Sequence, residues 1–424
     1  MLSTLLIITF IISYSLIAFE HQVNINKAAI ALFSGVLGWI FVMIHSNDQH
    51  VLTEELMHHF SEIAAILFFL LGAMTIVELI DAHHGFDIIT QQLIKVKPVT
   101  LLWLVAGVAF ILSSVLDNLT STILIISLLR KILPEGKLRL LFAGMVVIAA
   151  NAGGAFSPIG DVTTTMLWIG GQVSSTKLVA ALLLPSLVNL LVPLVVLFFI
   201  MKKEKLFQNI TIIKIQTANS KNKGGVFILI LGLLSLIAVP IFKVIFHLPP
   251  FMGILFGLGL MWCITEIKYG RRIAVDKKNY SVAYALRNID TPSILFFLGI
   301  LLSISALQTS GVLTSLANNL NSTFSSQNTI LVLTGFMSAV IDNVPLVAAY
   351  QGMYPLADFI TDSSFWHLLA YCSGTGGSML IIGSAAGVVA MGIEKISFGW
   401  YLKNISLLAI LGYLAGFGVY LIIS

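Results

Sequence analysis

The sequence predicts an all-α polytopic membrane fold, built as two inverted repeats with two re-entrant hairpins and two broken transmembrane helices. Three observations predict it. The chain has 424 residues, 58% hydrophobic and only 10% charged, whereas a soluble protein carries about 25% charged residues. Polar and glycine-rich motifs interrupt the apolar runs at matched places in the two halves. Lysine and arginine cluster in a few loops, which sets an orientation. With a mean hydropathy of +1.00, a soluble enzyme and a disordered regulator are excluded. The expected surroundings are membrane lipid; no nucleic-acid partner and no cofactor is expected.

A crossing helix needs about 20 apolar residues. Ten candidates fall at about 2–19, 28–45, 59–80, 139–170, 177–201, 225–246, 250–267, 292–309, 364–394 and 400–423. The N-terminal run has no basic region and no small-residue cleavage site, so a first helix is expected rather than a cleaved signal peptide. The candidates 139–170 and 364–394 are too long for one ideal helix. Each is interrupted by a glycine pair, Gly153-Gly154 and Gly376-Gly377, where the break is expected. Two more apolar stretches, about 99–133 and 329–360, contain Asp117-Asn118 and Asp342-Asn343 near their middles. The arm after Asp117-Asn118 spans roughly 22 Å at the helical rise, short for the hydrocarbon core. Both stretches therefore read as hairpins that enter and leave on one side. The tryptophans and tyrosines read as interface anchors, and Cys263 and Cys372 as small buried residues.

Positive charge orients these elements. Lys95 and Lys97 precede the first hairpin; Arg130, Lys131, Lys137 and Arg139 follow it, so it opens to the cytoplasm. The loops 202–223 and 268–287 are basic and two crossings apart, which agrees. No Lys or Arg lies between Asn288 and Glu394, so the second hairpin opens outward. Loop 46–58 carries Asp48, Glu54 and Glu55 and is expected outside. Both termini then lie outside. Lys177 and Lys243 depart from the pattern.

The halves 1–201 and 225–424, joined by a lysine-rich linker at 202–224 expected in the cytoplasm, share one order of elements. Ser113, Asp117 and Asn118 match Ser338, Asp342 and Asn343; Gly153-Gly154 and Gly160 match Gly376-Gly377 and Gly383, in a register of about 223–225 residues. The halves start on opposite sides, the pattern of a secondary transporter with its site at the repeat interface. Asp117, Asp161 and Asp342 lie deep in apolar sequence, where a charge costs several kcal/mol and marks function. The bland reading is that each only caps a helix. A small hard cation prefers oxygen ligands. Candidates at the hairpin tips are Asp117, Asn118, Thr120, Thr122, Ser338, Asp342 and Asn343; the broken helices add Ser157, Asp161, Thr163, Thr164, Ser373, Thr375, Ser378 and Ser384. Half-helix C-termini also favour cations. Two nearby carboxylates do not both ionise cheaply. They would hold a proton until a cation displaces it, which suffices for antiport. His58, His59, Glu62, Glu78, His83 and His84, at the ends of the third helix, are candidates for pH sensing or a metal; a solvated interfacial cluster is the plainer reading.

These segments resemble the NhaD-type sodium/proton antiporters of the ion transporter superfamily. The resemblance is carried by 58–87, SSVLDNLTST (113–122), NAGGAFSPIGDVTTTMLWIGG (151–171), SAVIDNVPLVAAYQGM (338–353) and SGTGGSMLIIGSAAGV (373–388). It implies exchange of Na+ or Li+ for H+ across a bacterial inner membrane. It also implies cation binding by Asp117-Asn118 and Asp342-Asn343, completed by Ser157, Asp161, Thr163 and Thr164. It further implies a homodimer in which a transport domain moves against a scaffold as an elevator. The second repeat has Ser384 where the first has Asp161, so proton coupling leans on the first half. A dicarboxylate or arsenite carrier of the same fold would suit helix breaks without aspartate. An intramembrane aspartyl protease would need a Tyr-Asp pair and a Gly-x-Gly-Asp turn, and neither surrounds Asp117 or Asp161.

Overall fold

The computed structural model describes residues 2–18, 20–46, 48–88, 98–206, 223–269, 281–324 and 326–424. Lys95, Lys97, most of the linker 202–224 and most of the loop 268–287 lie outside the described residues. Every regular element among the described residues is helical. Nine of these helices are long and apolar enough to cross a membrane, and the chain is a multi-pass membrane protein.

The first half contains α1 (Leu2–Ala18), α2 (Lys27–Ile44), α3 (Gln49–Ala82), α4 (Pro98–Leu116), α5 (Asn118–Ile132), α6 (Lys137–Ala155), α7 (Val162–Ile169) and α8 (Ser175–Lys203). The second contains α9 (Lys223–Phe246), α10 (Pro250–Tyr269), α11 (Thr291–Thr309), α12 (Val312–Thr323), α13 (Gln327–Ser338), α14 (Asn343–Met353), α15 (Ser364–Gly376), α16 (Ala385–Glu394) and α17 (Leu407–Ile423), the last led in by a π-helical turn, Leu402–Ser406.

Helices that are distant in sequence pack into two bundles. In one, α1, α2, α3, α9, α10 and α11 pack together; in the other, α4 to α8 pack with α13 to α17. Each bundle draws on both halves of the chain, and α12 links α11 to α13. Within the second bundle the packing is reciprocal: α7 lies against α14, and α16 against α5.

The four interrupted segments are held by close backbone approach. A Cβ at Gly153 would meet the Phe110 carbonyl, and one at Gly376 would meet the Gly335 carbonyl. Beside them, Ser113 Oγ donates to the Ala150 carbonyl at 2.5 Å and Ser338 Oγ to the Ser373 carbonyl at 2.7 Å. Gly153→Ala is therefore expected to destabilise the protein by about 1–3 kcal/mol. Thermal unfolding in detergent measures this, and a midpoint equal to the parent's would refute it.

Several sequence expectations are corrected. The first glycine pair does not break its helix, since α6 runs through Gly154 to Ala155, whereas α15 ends at the second pair, with Gly376 its last residue and Gly377 its cap. The breaks lie at 156–161 and 377–384, and Gly153 and Gly376 serve packing. Most of 46–58 is not loop but the start of α3, because Asp48 caps the helix by accepting from His50 N at 3.1 Å and Val51 N at 3.2 Å. Helix α12 was not foreseen; its run of Asn318, Asn319 and Asn321 hides a one-sided apolar face built on Leu313 and Ala317. Trp168, Trp366, Tyr371, Tyr401 and Tyr413 are fully buried rather than interfacial. The tyrosine hydroxyls donate to carbonyls, Tyr371 to Tyr413, Tyr401 to Ser378 and Tyr413 to Val332. Cys372 is buried, but Cys263 is exposed.

Candidate functional site

Three aspartates cap the helices that start at the breaks. Asp117 caps α5 by accepting from Thr120 N at 2.7 Å, and Thr120 Oγ1 donates to its other oxygen at 3.0 Å. Asp342 caps α14 through Val344 N at 3.4 Å. Asp161 caps α7 through Thr163 N at 2.8 Å. The capping role raised by the sequence is thus real, but it does not exhaust these residues. Asp117 is held at φ 99° and ψ 162°, a region otherwise left to glycine that costs about 1–3 kcal/mol.

Asp161 is the centre. It is 2% exposed, and the first residues of α5 and α14 reach it. Asn118 Nδ2 donates to Asp161 Oδ2 at 2.6 Å. Asn343 Nδ2 lies 3.3 Å from each Asp161 oxygen. Thr163 Oγ1 adds a bond of 2.7 Å to Oδ1. Asp117 and Asp342 flank this carboxylate, each one residue before the asparagine that touches it. Thr164 Oγ1 is turned to the Asp161 carbonyl at 2.9 Å.

The other sequence candidates have other partners. Thr122 is buried with its hydroxyl unpartnered. Ser157 Oγ accepts weakly from Ile159 N at 3.4 Å. Ser378 Oγ donates to the Thr375 carbonyl at 2.6 Å, and Ser338 to Ser373 as described. Lys27, remote in sequence, lies close enough for its charge to act on Asp342.

A cavity of about 680 Å³ opens between the two bundles, and Asp161, Asn118 and Asn343 are not among its walls. Its walls are His59 and Glu62 of α3, Gln308 of α11, Met166 of α7, and Ala348 and Gln351 of α14. Met166 and Ala348 stand one to two turns beyond Asp161 and Asn343, so the cavity runs along the two helices that start at the site.

A family model described as a citrate transporter matches residues 14–366. Sodium/proton antiporter 2 of Arabidopsis thaliana is 46% identical over 97% of this chain and 97% of its own length. Sodium/proton antiporter 1 of the same plant is 48% identical over 97% of this chain and 70% of its own. The Na(+)/H(+) antiporter NhaD of Vibrio cholerae is 30% identical over 99% of this chain and 91% of its own. The chain belongs to the NhaD-type sodium/proton antiporter family.

One residue of this NhaD-type chain, Asn151, enters the centre although it is not among the sequence candidates. Asn151 Oδ1 accepts from Asn118 Nδ2 at 3.1 Å, and Asn151 Nδ2 donates to Ser384 Oγ at 3.0 Å. Its signal was available: it is an asparagine in an otherwise apolar helix, fully buried. Asn151→Ala is expected to raise the apparent KM for the transported cation by about tenfold, because Asn118 loses an acceptor worth about 1 kcal/mol or more. An unchanged KM would remove Asn151 from the site.

The histidine clusters of this NhaD-type chain separate. His58 Nδ1 and His59 Nδ1 lie 4.0 and 3.8 Å from the Glu62 carboxylate. Ligand atoms of these three fall within 4.8 Å of one another. His83 Nδ1 is instead directed at the Leu79 carbonyl at 2.8 Å, and His84 lies 3.8 Å from Asp87. Glu78 belongs to that second end, with a side-chain bond to Asn288. The two ends of α3 are about 30 Å or more apart at the helical rise, so the six residues form two separate clusters.

Proposed function

We propose that this chain exchanges Na+ or Li+ for H+ across an energised membrane, with Asp161 as the shared carboxylate and Asp117 and Asp342 beside it. The observation that supports it most is that amides from both hairpin tips converge on the Asp161 carboxylate. Asparagine presents a donor on one side of its amide and an acceptor on the other. In the described arrangement both amides donate. Turning them over would offer two oxygens, with those of Asp161, to a small hard cation. Proton and cation then compete for one carboxylate, which couples their opposite movements.

The name of the matching family model favours an anionic substrate as the second reading. Against it, the positive N-terminal ends of α5, α7 and α14 already carry carboxylates at their caps. An anion entering there would face Asp161.

The reading includes an inverted repeat, supported by the matched glycine and serine contacts, and two re-entrant hairpins, α4–α5 and α13–α14. It includes an elevator movement of the bundle that holds the site against the bundle of α1, α2, α3, α9, α10 and α11, within a homodimer. The charge pattern supports both termini outside. A bacterial inner membrane is one home for such an exchanger; the relatives come from both plants and bacteria.

Everted vesicles with a pH dye test the reading. NaCl or LiCl should dissipate a preformed proton gradient in vesicles carrying the chain and not in empty ones. A response to citrate with none to NaCl or LiCl would replace the reading with the anionic one.

A further inference from the structure

Among the described residues, two hydrogen bonds fasten the bundles to each other, and neither was legible in the sequence. On α9, Lys243 Nζ donates to the Trp168 carbonyl at 2.9 Å and stands 4.8 Å from the centre of the Trp168 ring. On α1, the Tyr14 hydroxyl accepts from the backbone N–H of Asp342 at 2.8 Å. Helices α1 and α9 are the first elements of their halves. Each touches an element that reaches the site: Trp168 is the next-to-last residue of the eight-residue helix α7, which Asp161 caps at the other end, and Asp342 caps α14.

We infer that Lys243 and Tyr14 are positioning residues: they fasten the two ion-binding elements to the neighbouring bundle in the described conformation and release them when the site changes its side. The chemistry suits that role. A lysine at a helix C-terminus meets the negative end of the helix dipole, and the face of a tryptophan ring is the best aromatic seat for a cation. Lys243 also departs from the charge pattern that orients the membrane, and a positional duty accounts for its being there. Both contacts cross the same boundary as the cavity, so sliding one bundle against the other breaks both and closes the cavity. The inference rests on the transport reading above for its kinetic consequence, but not for its conformational one.

The test uses the full chain in membrane vesicles of both orientations. Lys243→Met and Tyr14→Phe each remove one fastening, and Lys243→Arg keeps the charge. If the fastenings hold the conformation whose cavity is open, each loss lowers its population. The KM for Na+ measured from the cavity face then rises about three- to tenfold, as expected for the loss of one hydrogen bond. The KM from the opposite face stays level or falls, and Lys243→Arg stays near the parent. A general loss of structure would move both faces together.

A second readout needs no transport. Ala348 is 7% exposed and lines the cavity. In a Cys263→Ser background, Ala348→Cys should react with a membrane-impermeant maleimide several-fold more slowly once Lys243→Met is added. Equal KM shifts on both faces, or an unchanged labelling rate in both Lys243→Met and Tyr14→Phe, would overturn the inference. A parent chain that moves no protons in response to Na+ would instead remove the transport reading and leave the labelling arm to decide this one.

Discussion

Asp161→Asn is expected to reduce Na+-driven proton movement to the level of empty vesicles while leaving the protein in the membrane. The substitution keeps one oxygen, enough for Thr163, which donates to Oδ1 from both its amide and its hydroxyl. It places an amide N–H₂ where Asp161 Oδ2 now accepts from Asn118 at 2.6 Å. Donor then faces donor, in a position with almost no access to water. The loss of a satisfied buried partner costs about 1–3 kcal/mol, which a chain of this size tolerates. The lost titratable group has no counterpart at the matching place in the second half, where Ser384 stands. Asp161→Glu separates the two effects: it keeps the charge and shifts it by one methylene, so partial activity with a raised KM is expected. Full activity in Asp161→Asn would remove the shared carboxylate from the mechanism and transfer its role to Asp117 or Asp342.

Arg139→Met is expected to destabilise the fold by about 3–5 kcal/mol, and the double change Arg139→Met with Glu394→Met by much less. Arg139 Nε donates to Glu394 Oε2 at 2.8 Å, with the Arg139 side chain 9% exposed and that of Glu394 fully covered. Removing the arginine leaves a carboxylate in an apolar interior, whereas removing both leaves two apolar side chains of similar size. The pair joins the start of α6 to the end of α16, one element from each half of the chain. A related tie joins the halves elsewhere: Asp362, just before α15, accepts from Ser174 N at 2.6 Å, just after α7. Thermal unfolding in detergent of the single and double variants measures the difference. A double variant less stable than the single would show that the pair contributes more than mutual neutralisation.

What could be read in advance follows the length scale of each interaction. Asp117-Asn118, Asp342-Asn343 and Asp161 were legible because charge and amide in apolar sequence are costly wherever the chain goes. Asn151 carried the same signal in weaker form, since a single amide also has bland explanations. Lys243 registered only as a departure from the charge pattern, because its partner, a carbonyl 75 residues away, leaves no mark in side-chain chemistry. Gly153 marks no break, since α6 continues past it to Ala155. A glycine that breaks a helix and a glycine that lets another backbone approach look identical until the neighbour is placed.

By itself the sequence determined the solvent this chain lives in, the approximate spans, the positions of the breaks to within a few residues, and the acidic residues at them. Those depend on hydropathy, local propensity and desolvation, which act along the chain. Only the tertiary structure decided that the bundles cut across the two halves, that Asn118 and Asn343 reach Asp161 from the starts of α5 and α14, and that Tyr14 and Lys243 close on the elements holding it. Those depend on contacts between segments tens to hundreds of residues apart, where direction and distance decide, and neither is written in composition.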